Sequence, residues 1–459
     1  MAIPRIDRLD DAVGAGIERL VVAHHRRRLR RHGWRHAYAP PQDGLWCAGD
    51  PPPRDGNAIE VLVDGEDALG RLQAEIEGAQ ESVHLAGWHF DPSFRLVEDG
   101  PPLRDLLAAT AERAEVRLLQ WAGAPLPLFT PSRAQVRASR VELVRGTRTR
   151  LELDARERPM HCHHEKLAVV DGRVAYVGGI DLTALAGNRL DSSEHPPRRG
   201  PGWHDAAARV EGPLVGDVAA HFALRWREVA GETLASNSLL QTSGPTTAQF
   251  VRTVPNGVYD ALPRGDFRIL EAYIRALRSA ERLVYLESQF LWSPELVRIV
   301  AAKLRNPPSD EFRVIVLLPA RPNNGGDDTR GQLGLLIDAD RHDRLLASTL
   351  YQPGGEHQVY VHAKIGIVDD RWLAIGSANL NEHSLYNDTE ACVITTDENL
   401  VRTTRLKLWR EHLQHDEPTF DLWRERAEDD GYERVAPLPH LSRRTRRFLG
   451  PINGLLVDG

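Results

Sequence analysis

Lysine is nearly absent from this chain. Only Lys166, Lys303, Lys364 and Lys407 occur among 58 basic residues; the rest are Arg. Cysteine is scarcer still. Cys47, Cys162 and Cys392 are odd in number and far apart, so they offer no disulfide framework, and a reducing, cytoplasmic setting is expected. Long uncharged apolar runs are also missing, although 41% of the residues are hydrophobic, which excludes an obvious membrane-spanning helix. The opening residues scatter charges among their apolar positions and lack the apolar core and cleavage site of a signal peptide. A formal charge of −7 weighs against nucleic acid as a partner, though a local basic groove can exist beneath a negative total. What is left is a soluble globular chain whose 459 residues suffice for two substantial domains.

The most informative feature is a stretch that occurs twice. Met160 to Asp181 contains His164-x-Lys166-x4-Asp171, followed by Gly178-Gly179-x-Asp181. The second copy, 198 residues on, is His362-x-Lys364-x4-Asp369, followed by Gly376-Ser377-x-Asn379. In both copies the His lies seven residues before the Asp and fourteen before the first Gly. A chain that writes Arg almost everywhere keeps Lys at both motif positions. An ammonium is a compact point charge and a guanidinium a planar fork, so this choice speaks for chemistry rather than solvation.

The surroundings repeat as well. Val61–Val63 reads as a strand, 67–79 as a helix with Leu69, Leu72 and Ile76 on one face, and 82–90 as a strand. Two hundred residues later come a helix through Leu270, Ile274 and Leu277 and a strand over 283–290. A further strand pair is expected at 116–121 and 312–318, and Phe250 to Val254 can add another. Strands alternating with helices at this spacing indicate α/β units and a mixed or parallel sheet. A helix over 17–31 ends in the basic run His24 to Arg31, which is either a solvated face or an attraction to anionic lipid headgroups. An apolar, Pro-rich loop carrying Leu126, Leu128 and Phe129 is open to two readings, lipid contact or packing on a neighbour. The second half has a polar loop, 321–328, in its place. Past Glu411 a charged region ends in the run Arg443 to Phe448, read as a solvated tail.

Leu167–Val170 and Ile365–Val368 are apolar, so each His-x-Lys should open a buried strand, with both side chains on one face. The Gly-Gly and Gly-Ser pairs allow backbone to come close to a ligand. Two His, two Lys and an Asn facing one another suit phosphodiester transfer. One imidazole attacks phosphorus, the second protonates the leaving alkoxide, and the cations stabilise the nonbridging oxygens without a metal. His161-Cys162-His163-His164 looks superficially like a metal cluster but lacks a second ligand pair at zinc spacing. No metal and no cofactor are expected, with His161 and His163 in supporting roles. Were the motifs merely structural, each half would bury an unpaired Lys.

The paired motifs, GG after the first and GS after the second, resemble the phospholipase D superfamily over residues 58–412, in particular bacterial and eukaryotic phospholipases D and cardiolipin-synthase-like relatives. The resemblance implies an α/β fold of two tandem α-β-α sandwich domains related by pseudo-twofold symmetry, with one active site at their interface. The expected organisation is a helical, basic extension and linker (1–57), the two domains (58–240 and 241–412) and a charged tail (413–459). It also implies that His164 is the nucleophile and His362 the acid and base. Lys166 and Lys364 would hold phosphate oxygens, with Asn379, Ser377 and Gly179 completing the phosphate site. A carboxylate beyond each motif hydrogen-bonds a catalytic histidine in the family, and Asp205 and Glu390 match those positions. Asp171, Asp369, Gly178 and Gly376 are expected to be structural. Asp181 departs from the pattern, because it stands where the other half has Asn379. A negative charge there would oppose phosphate, so Asp181 should point away or bind a side chain. An insertion over 187–202, with Asp191 and His195, could shape the entrance.

The expected activity is hydrolysis of glycerophospholipids, or transfer of the phosphatidyl group to an alcohol, with peripheral contact to an anionic membrane face. A cardiolipin-synthase-like phosphatidyltransferase is the alternative, although such proteins usually carry N-terminal transmembrane helices. A nuclease of the superfamily is a further one, disfavoured by the acidic balance. Tyrosyl-DNA phosphodiesterases lack the Asp that both copies keep. A membrane-binding scaffold with a spent site is opposed by the intact His and Lys.

Overall fold

The computed structural model describes residues 4–125, 130–159, 161–183, 202–234, 241–322, 326–352, 358–429 and 434–438. The loop carrying Leu126, Leu128 and Phe129, nearly all of the 187–202 insertion, part of the second-half polar loop and the 443–448 run lie outside them.

Seven strands of the first unit are β1 (Arg54–Val63), β2 (Ser82–Gly87), β3 (Glu115–Trp121), β4 (Arg150–Asp154), β5 (Leu167–Val170), β6 (Val174–Gly178) and β7 (Ala206–Glu211). Their order across the sheet is β4-β3-β2-β5-β6-β7-β1, parallel from β4 to β2 and antiparallel thereafter. The second unit supplies β8 (Thr246–Val254), β9 (Leu283–Glu287), β10 (Arg313–Leu317), β11 (Leu345–Tyr351), β12 (Ile365–Val368), β13 (Trp372–Gly376) and β14 (Glu390–Thr395). Their order, β11-β10-β9-β12-β13-β14-β8, and their directions repeat the first sheet strand for strand. The two sheets are stitched together through β1. Its C-terminal part pairs with β7, while Arg54 and Asn57 pair with β8 across a bulge at Gly56, whose φ of +85° suits glycine.

Each unit carries helices on both faces of its sheet. The outer face of the first is covered by the helices Asp64–Gly78 and Leu103–Thr110, and that of the second by Arg268–Ser279 and Pro294–Arg305. On the inner side, Leu214–Ala230 and Glu398–Leu413 place Phe222, Trp226, Leu408 and Trp409 in one core shared by both units. β5, β6, β12 and β13 are buried at every position, as strands covered on both faces must be.

Several elements differ from expectation. β2 and β9 end at Gly87 and Glu287, three residues short, because the chain turns there into the site. The N-terminal helix α1 (Pro4–Arg31) is longer than the periodicity suggests and docks on the second unit. Its basic run is divided between a docked face and a solvated one. Arg26 forms a two-pronged ion pair with Glu295 (2.7 Å), Arg28 donates to Asn387 Oδ1 (2.7 Å), and His25 stacks on Tyr386. His24, Arg27, Arg30 and Arg31 are exposed. The chain beyond 413 is likewise not all solvated tail. Helix Phe420–Glu428 buries Trp423 against Tyr285 and Trp409, and Val435–Pro437 adds an edge strand to β11.

Candidate active site

The two motifs precede β5 and β12 rather than opening them, because the chain there pairs across the seam between units instead of within its own sheet. The His164 backbone N–H donates to Thr389 O (2.9 Å) and that of His362 to His204 O (2.8 Å). His163 and Thr389 form an isolated parallel bridge between the units. The motif of each half is thereby laid against the other half.

The side chains cross in the same way. His164 Nδ1 lies 3.0 Å from Glu390 Oε1, and His362 Nδ1 lies 2.6 Å from Asp205 Oδ2. Each imidazole of one unit is held by a buried carboxylate of the other. With Nδ1 engaged in this way, chemistry at either ring falls to Nε2. Glu390 is surrounded: Ser384 donates to Oε1 (2.6 Å) and Ser377 to Oε2. Burial pushes its carboxyl up to about 8, while Lys166 and the two hydroxyls pull the other way.

The lysines fold back on their own motifs. Lys166 Nζ donates to His164 O (2.6 Å) and Lys364 Nζ to His362 O, so each ammonium is fixed beside its imidazole. Asp181 pairs with Lys166 at 3.3 Å, whereas its counterpart Asn379 donates to Gln289 Oε1 at 3.4 Å. The first half therefore carries a cation paired with a carboxylate, and the second a neutral carboxamide at the corresponding position. Oδ1 of Asn379 is buried without a hydrogen-bond partner among the described residues.

The glycines make room for protein rather than only for a ligand. A Cβ at 179 would collide with the Asp205 carboxylate, at 178 with Ala206 O and Ala207, and at 376 with Cys392 and Ala391 O. Ser377 occupies the position equivalent to Gly179 and gives its hydroxyl to Glu390, so that hydroxyl is committed to the dyad rather than to the open site. Asp171 and Asp369 stand at the far ends of β5 and β12, at φ of +50° and +56°. Asp171 accepts the N–H groups of Gln80, Glu81 and Ser82, and Asp369 those of Glu281, Arg282 and Leu283. Each ties the strand turn to the start of β2 or β9.

Further residues, not singled out as site residues in the sequence, support the site. Trp203 packs on the His362 ring at 4.6 Å, and Gln289 bonds the Tyr360 hydroxyl at 2.9 Å. Behind His362, the fully buried His204 bridges Asp64 (2.9 Å) and Glu287 (2.7 Å), which also accepts from His412. Burial would lower the pKa of His204, but Glu287 and Asp64 outweigh it and hold the ring protonated well above its ordinary value. A charged imidazole thus locks the strand whose carbonyl receives the His362 N–H. His163 spans the seam, with Nδ1 on Thr389 Oγ1 of the second unit (2.8 Å) and Nε2 beside Asp154 of the first (3.1 Å).

Fold and site together define a class: a duplicated α/β protein whose two His–Lys motifs are completed by carboxylates exchanged between the units. Residues 273–411 match the family model described as "Cardiolipin synthase, PLD-like domain". Phospholipase D A of Dictyostelium discoideum is 24% identical over 79% of this chain and 36% of its own length. Phospholipase D alpha 4 of Arabidopsis thaliana is 25% identical over 73% of this chain and 62% of its own. This chain thus spans from about a third to just under two thirds of these relatives. In fold it is similar to the phosphatidylserine synthase of Haemophilus influenzae Rd KW20, with a TM-score of 0.53 at 12% identity over 79% of this chain and 87% of that one. Over residues 273–411 the chain thus carries a PLD-like domain, and by sequence it is similar to phospholipases D.

Proposed function

We propose that this chain is a phospholipase D-type enzyme that hydrolyses a glycerophospholipid phosphodiester or passes its phosphatidyl group to an alcohol. The observation that carries the reading is the pair of crossed dyads, His164–Glu390 and His362–Asp205. In the proposed reaction His164 Nε2 attacks phosphorus and the P–O bond to the headgroup breaks. His362 gives its Nε2 proton to the departing oxygen, leaving a phosphohistidine at 164. His362 then takes a proton from water or an alcohol, whose oxygen displaces His164. Lys166, Lys364 and Asn379 offset charge on the nonbridging oxygens, and the neutralisation of Asp181 by Lys166 removes the repulsion its charge would impose. Residues 58–240 and 241–412 would be the two halves of this catalytic body. Among the described residues no helix is long and apolar enough to cross a membrane, which is compatible with a peripheral encounter with lipid. The three thiols are buried and not disulfide-bonded, which fits a cytoplasmic protein.

A second reading, transfer in place of hydrolysis, is favoured by the fold likeness to the phosphatidylserine synthase. Both readings share one test. Vesicles of phosphatidylcholine or phosphatidylglycerol are incubated with the chain, with and without a primary alcohol, beside single-stranded DNA. Phosphatidic acid, replaced by phosphatidylalcohol when alcohol is present, is the expected result; dominance of the alcohol product at low alcohol favours transfer. Cleaved DNA beside untouched lipid would overturn both. His164→Ala and His362→Ala should each lower turnover by about 10³-fold or more. Only His362→Ala should accumulate a phosphohistidine, detected by mass spectrometry after an alkaline quench; an adduct in His164→Ala instead reverses the roles.

A further inference from the structure

One step along the seam from the His164–Glu390 dyad lies a second cluster that the proposed reaction does not use. His161 Nδ1 stands 3.1 Å from His383 Nδ1 and 3.5 Å from Asp388 Oδ1. Their ligating atoms all lie within 4.8 Å of one another, and the three side chains are buried. His161 comes from the first unit, His383 and Asp388 from the second. His383 opens a single π-helical turn, His383–Asn387, an irregularity that re-aims side chains relative to an ordinary helix.

We infer that His161, His383 and Asp388 form a binding site for a first-row divalent transition metal of the zinc class, one that joins the two units next to the active site. The spacing is the first argument. Tetrahedral zinc with bonds of about 2.0–2.1 Å sets its ligand atoms about 3.3–3.4 Å apart, and the observed 3.1 and 3.5 Å bracket that edge. Donor chemistry is the second. Two imidazoles and one carboxylate suit zinc, cobalt or nickel, whereas magnesium and calcium take oxygen donors.

Satisfaction of the buried groups is the third argument. A proton shared between the two Nδ1 atoms would account for one contact, but Asp388 Oδ2 is buried and lacks a hydrogen-bond partner among the described residues. The oxygen that faces His161, Oδ1, also accepts the Cys162 N–H at 2.9 Å, which fixes the carboxylate in place as a supporting bond does for a metal ligand. The neighbouring cation Arg28 is committed to the Tyr386 carbonyl and Asn387. Three protein ligands leave the fourth position to water. The HCHH sequence could not disclose this site, because two of its three ligands sit more than 220 residues further along the chain.

The test is metal uptake by the full chain, which is independent of lipid turnover. The chelator-stripped protein is titrated with Co(II) alone and with Zn(II) alone. One equivalent of each is expected to bind, with the visible bands of tetrahedral cobalt, and zinc should raise the thermal midpoint. His161→Ala, His383→Ala and Asp388→Asn should each weaken uptake at least tenfold, while His412→Gln, in a separate buried His–carboxylate cluster, should leave it unchanged. X-ray absorption of the zinc-loaded wild type, which needs no variant to fold, should show nitrogen and oxygen neighbours with the outer-shell pattern of two imidazoles. Failure of the folded wild type to bind either metal, a sulfur-containing shell, or full uptake by the His161→Ala/His383→Ala double variant would overturn the proposal.

Discussion

A methyl group at position 179 would stand where the Asp205 carboxylate now sits, so the glycine there is a condition for the His362 dyad. Gly179→Ala should therefore mimic Asp205→Asn. Both should lower kcat by about 10²-fold or more, because the ring loses the partner that fixes its orientation and tautomer. Steady-state kinetics on one lipid substrate checks this, and a Gly179→Ala enzyme of normal kcat would sink it. The motif residues themselves were legible because two copies in identical spacing are hard to produce by accident. The partners were legible only as positions. Nothing in the residues around Glu390 tells that it serves His164 rather than its own half's His362, since the exchange depends on how two sheets meet. Trp203, Gln289 and Tyr360 carried no signal beyond ordinary core or strand residues. Asp181 was the instructive case. Its charge looked misplaced beside phosphate, and the structure answers with the ion pair to Lys166.

At the level of elements, α1 acts as a clamp on the turn that follows the second motif. Arg28 is buried and spends its donors on the Tyr386 carbonyl and on Asn387, four and three residues before Glu390. Arg28→Ala should cost about 2 kcal/mol in urea unfolding, since a charge-assisted bond is lost and a buried carbonyl is orphaned. Arg30→Ala, on the exposed face, should change stability by no more than about 0.5 kcal/mol. Equal effects at the two positions would refute the clamp. The run of Arg residues conceals this division in sequence, because helical periodicity says which residues share a face and not whether another element covers it. The same holds after Glu411, where charged residues are as frequent as apolar ones but Trp423 is fully buried. Trp423→Ala should destabilise by about 3–5 kcal/mol, a size that a residue in a solvated tail never reaches.

For the molecule as a whole, the acid side of the stability curve follows from what is buried. His84 lies on Phe222 with ring centroids 4.8 Å apart, and burial followed by the Arg117 charge lowers its pKa to about 4. Glu115 comes within 3.5 Å of the ring but is itself held by Arg117, so the contact does not restore the proton affinity. Between about pH 6.5 and 4 the unfolded chain binds a proton at this site that the folded one refuses, so stability falls as pH falls through that window. A single such group contributes up to about 1.4 kcal/mol per pH unit. His84→Gln should flatten this part of a chemical-denaturation series, and an unchanged slope would show that the ring protonates in place. Below it, buried carboxylates held ionised, such as Glu287 by its histidines, continue the decline. The α/β class and the twofold repetition were readable from the order of strands and helices. The stitching of the sheets through β1 was not, because it rests on a bulge that leaves one strand paired on two sides.

The exchange of carboxylates between units also says something about ancestry. A single ancestral unit could not have worked alone, since the group that serves its histidine projects from a neighbour. It would have functioned as a pair of identical chains, each lending the other its acid. Fusion of two gene copies would then free the halves to diverge, and the corresponding positions where they differ are Gly179 and Ser377, Asp181 and Asn379, and Asp205 and Glu390. Inheritance at these sites runs diagonally: a change at 205 is judged by its effect on 362, and one at 390 by its effect on 164.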